Sequence, residues 1–331
     1  VRLAIRILVR LAAISALAVA LALFGFRVAA LWREGREVEE LAPQGRFIAT
    51  AQGRLFVQLR GPETGQPVLL VPGTAAWGGF WGDVMEELGR AGYRAIAVDM
   101  PPFGFSEHRA RADYSRVDQA ERLKGVIDGL QLKRPVVVGH SFGAGSVVEL
   151  AARHGAVLKA IVVVCGALDL PQGDGLHEKP SQLLDSILHT EPLMRTVTAA
   201  VVTNPLALRP LLASMLHRKD AADAKQSEIL QKPMVRRGTT EAYAQWLPFL
   251  LLPDRAALTA RAAGLTGIVV PTLLIWGERD GITPLQQGRR INALIRGSTL
   301  DVLPDAGHIP HIETPAMFLD VLKKRLGNLP G

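Results

Sequence analysis

The sequence predicts an α/β fold: a mostly parallel, doubly wound sheet interrupted by a helical insertion and preceded by an apolar N-terminal helix. Three observations carry this. Short, predominantly apolar runs recur at residues 67–71, 93–98, 135–138, 160–164 and 271–276, as in central strands covered on both faces. Helical stretches separate them at 80–90, 115–130 and 142–153, the alternation that builds parallel strands with crossover helices. The alternation stops between Leu170 and Ala263, where a proline-broken, helix-textured stretch contains no buried-strand run.

In chain order, residues 11–26 read LAAISALAVALALFGF without a charge. Arg2, Arg6 and Arg10 precede the run, Arg27 follows it, and the chain is apolar again to Trp32. With Arg10 and Arg27 snorkelling and Trp32 at the interface, the run reaches the roughly 20 residues of a membrane span. A cleaved signal peptide is the competing expectation, because Ala16-Leu17-Ala18 and its neighbours have small-x-small form. The apolar run continues past those sites, which favours an uncleaved anchor. A soluble amphipathic helix would need a polar face, and only Ser15 and Gly25 supply one. The arginines weakly favour an N-terminus inside and the remainder on the outer, periplasmic face. Since residue 1 is Val, the natural start is expected upstream.

A charged linker follows. Residues 47–50 and 55–59 then read as paired strands around Gln52-Gly53-Arg54. The last expected strand is 299–303, before a helix opening near Thr314-Pro315. Hydrophobic residues make up 48% of the chain, which excludes a disordered protein. The formal charge is +7, but basic and acidic residues are interleaved, so no nucleic-acid footprint is expected. Cys165 is the only cysteine, so no intrachain disulfide is possible; it reads as a small buried hydrophobe. No Walker loop, dinucleotide fingerprint or Cys/His metal cluster appears, and no metal or organic cofactor is expected.

The chemistry is expected to start at Gly139-His140-Ser141-Phe142-Gly143, a G-x-S-x-G string. It directly follows an apolar strand and opens a helix, so Ser141 must project from a tight strand-to-helix turn. A serine hydroxyl is a weak nucleophile and needs an adjacent base. His308, in Pro304-Asp305-Ala306-Gly307-His308 after strand 299–303, lies at the sheet edge where such sites form. His311 is its rival. His140 is badly placed to act as base for its neighbour, and His177, His189 and His217 read as surface residues. The orienting carboxylate is expected from Asp280, after strand 271–276, with Asp169 as the alternative and Glu278 as a solvated neighbour. Two N–H donors for an oxyanion are expected from Phe142 and from Thr74 in the loop after 67–71. Trp77, His140 and Trp246 are expected substrate contacts, and their aromatic surroundings point to an apolar acyl end.

Together these segments resemble the α/β-hydrolase family. The likeness covers nearly the whole chain after about residue 46, apart from the insertion. It rests on the loop at Val71-Pro72-Gly73-Thr74, on Asp99 to Ser106, on the GHSFG elbow, on WGERD and on AGHIPHIE. The resemblance implies an eight-stranded sheet and the chain order Ser, Asp, His. It also implies a division into an anchor at 1–33, a linker at 34–45, core at 46–170 and 263–331, and a substrate-selecting cap at 171–262. Two features depart from the family: Pro72 stands where a histidine is common, and the anchor is not general. The implied activity is hydrolysis of a carboxylic ester of a small-molecule acyl substrate. The alternatives are carbon–carbon bond hydrolysis, cofactor-free perhydrolysis, and a non-catalytic binding protein on the same fold. Oligomeric state is left open.

Overall fold

The computed structural model describes residues 2–168, 170 and 180–329. Eight strands form one sheet: β1 (Arg46–Thr50), β2 (Gly53–Arg60), β3 (Pro67–Val71), β4 (Arg94–Val98), β5 (Val136–His140), β6 (Ala160–Val164), β7 (Thr272–Gly277) and β8 (Thr299–Leu303). Their spatial order is β1-β2-β4-β3-β5-β6-β7-β8. The β1 and β2 hairpin pairs antiparallel, β2 also runs antiparallel to β4, and all remaining neighbours are parallel.

The order of hydrophobicity along the chain explains the layers. β5, β6 and β7 are buried at every residue, and β3 at all but its first. Each is predominantly apolar on both faces, so each needs cover on both. Helices Gly82–Arg90, Arg116–Gly129, Ser141–His154 and Pro315–Gly327 supply it, and their inward leucines, valines and Phe318 join the strands in one core. The second of these helices starts where Ser115 accepts a hydrogen bond from the Asp118 N–H, an N-cap that fixes its register. β8 is only half-buried because it ends the sheet.

Between β6 and β7 the described residues form no strand. They make helices Gln182–Leu188, Glu191–Val197, Pro205–Met215, Ala224–Gln231 and Thr239–Leu251, with a π-helical turn at Thr198–Val202. Their apolar faces form a second core with Phe80, Phe103, Tyr114, Phe142 and Ile309. Those five follow the C-terminal ends of β3, β4, β5 and β8, so the insertion sits over that edge of the sheet.

The N-terminal helix, Arg2–Arg33, is long and apolar enough to cross a membrane over Ile5–Arg33, with mean hydropathy 2.5. Its side chains from Leu8 to Phe24 are largely exposed. The expected charged linker does not hang free: Glu34 is buried and Arg36 makes a parallel bridge with Arg236 of the insertion.

Candidate active site

Ser141 is the first residue of helix Ser141–His154, immediately after β5, and its φ is +51°. A side chain in that left-handed region is strained. The flanking glycines permit the turn. A Cβ on Gly139 would come within 2.7 Å of Ala144 Cα, and one on Gly143 within 2.2 Å of the Pro72 carbonyl oxygen. The turn is thus packed tightly against the loop that follows β3.

Ser141 Oγ lies 2.8 Å from His308 Nε2. His308 Nδ1 lies 3.0 and 3.1 Å from the two oxygens of Asp280. A carboxylate only accepts, so Nδ1 carries the proton and Nε2 is left to accept from the serine hydroxyl. Asp280 is further held by the N–H groups of Ile282 and Thr283, each at 2.8 Å, and by the Thr283 hydroxyl at 2.7 Å. Burial pushes its carboxyl up, but hydrogen bonds from His308 and Thr283 outweigh that and hold it below its ordinary pKa. It is an anion at neutral pH.

The loop carrying His308 is fixed from two sides. The His140 ring donates from Nε2 to the His308 carbonyl at 2.8 Å. Burial, then the neighbouring His308, pushes the His140 pKa down to about 3, so the ring is neutral. On the other side, the buried Glu313 carboxylate accepts from the N–H groups of Gly307 and Ile309, each at 3.0 Å. It also accepts from His217 and Arg218 of the insertion, at 2.8 and 2.9 Å. A Cβ on Gly307 would meet His217 N at 2.4 Å, so only glycine allows this approach. Thr283 and Glu313 escaped the sequence reading. Thr283 stands in an ordinary loop, and Glu313 looks like one more acidic residue in a helix's first turn.

A cavity of about 30 Å³ adjoins the serine, bounded by Thr74, Phe80, His140, Leu212, Met215 and Leu230 among others. Thr74 is therefore beside Ser141, and Phe142 follows Ser141 as the second residue of the helix. Trp77 does not line this cavity. Its indole donates to the Ile229 carbonyl at 2.6 Å and packs edge-on against Phe105. Trp246 is also absent from the lining, being fully buried between Phe103 and Phe142. Both tryptophans were expected to touch substrate, and both are packing residues behind the wall. His140 does line the cavity, but its Nε2 is committed to the His308 carbonyl.

His311 is not within bonding reach of the serine. Its ring stacks on Trp81 at 4.2 Å, and neither nitrogen has a partner among the described residues. Burial pushes its pKa well down. Asp169 and His177 lie outside the described residues. Glu278 is half-exposed beside Arg279, His217 is exposed, and so is His189. Cys165 is buried, and burial pushes its thiol pKa up.

Asp99, Gly104 and Ser106 form a buried brace next to the site. Asp99 accepts from the N–H groups of Gly78 and Phe105, both at 2.7 Å. Burial pushes its carboxyl up to about 7 against those bonds. Gly104 has φ +67°, and a Cβ there would strike the Asp99 carboxylate.

Comparison with known proteins agrees with this architecture. Relatives include the 2-hydroxymuconate semialdehyde hydrolase of Pseudomonas sp. (strain CF600), 28% identical over 84% of this chain and 92% of that protein. The esterase RhEst1 from Rhodococcus sp. ECU1013 superposes with a TM-score of 0.67 at 19% identity, over 87% of this chain and all of its own. A structure described as a membrane phospholipase A, a bacterial virulence factor, superposes with a TM-score of 0.66 at 21% identity, over 98% of both chains. The family model for the alpha/beta hydrolase fold matches residues 66–315. With the sheet order and the serine turn, that match makes this chain a member of the alpha/beta hydrolase family.

Proposed function

We propose that this hydrolase cleaves carboxylic esters with an apolar acyl group, using Ser141 as nucleophile, His308 as base and Asp280 as orienting carboxylate. The observation that carries the reading is the continuous contact from Ser141 Oγ through the imidazole to Asp280, at 2.8 and 3.0 Å. Ser141 Oγ attacks the ester carbonyl while His308 Nε2 takes its proton. Asp280 holds the imidazole in the Nδ1–H tautomer and stabilises the imidazolium. The N–H groups of Thr74 and Phe142 receive the oxyanion. Collapse expels the alcohol, which takes the proton back from His308, and leaves an acyl-enzyme. Water, activated by the same base, releases the acid. The insertion acts as the cap over this centre.

Carbon–carbon bond hydrolysis is the second reading, favoured by the likeness to the 2-hydroxymuconate semialdehyde hydrolase of Pseudomonas. The cavity favours the ester. Among the described residues its wall is made by Ala76, Phe80, Leu212, Met215, Leu230 and Ile309, apolar side chains suited to an acyl chain. The N-terminal helix is proposed to be an uncleaved membrane anchor, with the hydrolase on the outer face.

Labelling by a fluorophosphonate probe, lost in Ser141→Ala, is the expected result; persistent labelling of that variant would remove Ser141 from the mechanism. On p-nitrophenyl esters of graded length, medium chains should react faster than acetyl. Acetyl preference would overturn the apolar-acyl assignment, and turnover of a vinylogous diketone without ester turnover would favour the second reading.

A further inference from the structure

The N-terminal helix is seated on the insertion by buried and half-buried polar contacts. Glu34 accepts from the Thr240 N–H at 2.9 Å and from the Thr240 hydroxyl, and that hydroxyl is 2.8 Å from Thr203 Oγ1. Arg33 donates to the Thr203 carbonyl at 2.7 Å, and Arg27 meets Glu241 at 3.2 Å. Two residues on, the Arg36 N–H donates to Val235 and its carbonyl accepts from Arg237. A flexible tether makes none of these contacts. They fix how the insertion is oriented to the helix axis.

The surface beside this seat is apolar. The N-terminal helix packs on Glu191–Val197 and the turn Thr198–Val202. These carry exposed Leu193, Val197 and Val201 about one turn apart, and Leu206, 82% exposed, opens the next helix. The stretches Glu191–Val202 and Pro205–Met215 together are as apolar and long as a spanning helix, but bent by 73°. A bent apolar pair next to a straight apolar helix suits the membrane interface, and leaving it in water is costly.

The same helix connects that surface to the serine. Leu206 stands at its exposed start, while Leu212 and Met215 at its other end border the cavity beside Ser141. At 1.5 Å per residue, Leu206 lies about 9 Å from Leu212 and about 14 Å from Met215 along the axis. We propose that the Leu193/Val197/Val201/Leu206 face is seated in the lipid layer, and that the substrate is a membrane-resident acyl ester delivered to Ser141 along helix Pro205–Met215. This rests on the ester-hydrolase and anchor readings above.

The test uses the full chain in phosphatidylcholine vesicles. A bimane label on Leu206→Cys should be quenched by brominated acyl chains. The same label on Val269→Cys should not, since Val269 is 91% exposed at the start of β7, the opposite edge of the sheet. The native Cys165 is buried and stays unlabelled. Leu206→Asp places a favourable charge in a helix's first turn, so folding is retained. It should lower hydrolysis of a vesicle-embedded monoacylglycerol about tenfold and leave p-nitrophenyl butyrate turnover unchanged. No quenching at 206, or quenching equal to that at 269, overturns the lipid seat. Quenching with equal rates on embedded ester overturns delivery from the membrane. Failure of fluorophosphonate labelling would sink the ester reading alone, because the quenching result does not depend on turnover.

Discussion

Asp280 and His140 do different work on the same imidazole. Asp280 fixes the proton on Nδ1, so Asp280→Asn should lower kcat roughly 10⁴-fold with little change in KM, measured on one ester across both enzymes. His140 fixes the backbone of the base and must stay neutral to remain buried. Its folded pKa of about 3 lies below the ordinary 6.5. The unfolded chain therefore binds a proton that the folded chain refuses throughout that window. Stability is complete above 6.5 and falls as pH drops towards 3. His108 behaves alike: burial, then the charge of Arg236, pushes its pKa to about 3. Replacing His140 by Gln keeps a donor for the His308 carbonyl. It should flatten the acid limb of urea stability by about 1.4 kcal/mol per pH unit; an unchanged slope would show that His140 titrates normally. That Ser141, His308 and Asp280 converge was legible in the sequence because each follows an apolar strand, and strand ends in a parallel sheet share an edge. Trp77 and Trp246 were misread for a plain reason. A large ring reports that it is buried, and its neighbours in sequence do not reveal which cluster buries it.

At the scale of elements, two close approaches hold the site together. The serine turn touches the loop after β3 through Gly143, where the Pro72 carbonyl fills the space of a side chain. Gly143→Ala should cost about 1–3 kcal/mol in urea unfolding and lower kcat, because relief comes only by moving the Thr74 loop. Glu313 gathers four N–H groups from the base loop and the insertion. Glu313→Ala leaves them without that acceptor and should cost about 3 kcal/mol or more, while Glu278→Ala, at an exposed carboxylate, should cost little. The strands were readable because burial on both faces leaves an unbroken apolar signature. The bends within the insertion were not. Its prolines announced breaks, but the angles between its helices depend on packing against Phe80, Phe103, Phe142 and Ile309.

For the whole molecule, the linker departs most from its sequence. Arg33 and Arg36 mixed with Glu34, Glu37, Glu39 and Glu40 read as a charged linker, yet Glu34 is buried because Thr240 supplies two donors. That partner lies far along the chain, so no local pattern could disclose it. A chain beginning at Arg46 should melt lower than one beginning at Arg27. Loss of about 2 kcal/mol from these bonds corresponds to roughly 3 °C in a chain of this length, readable by calorimetry; identical melting would mean the contacts contribute nothing. The Glu313 carboxylate has a consequence at the same scale. It is a common post for the loop bearing the imidazole and for the stretch at His217 and Arg218. Any swing of the roof that starts from that stretch must either snap two charge-assisted bonds or drag the His308 imidazole off Ser141. Entry is thereby confined to movements that leave this corner nailed down, and a mouth forced open there would disarm itself.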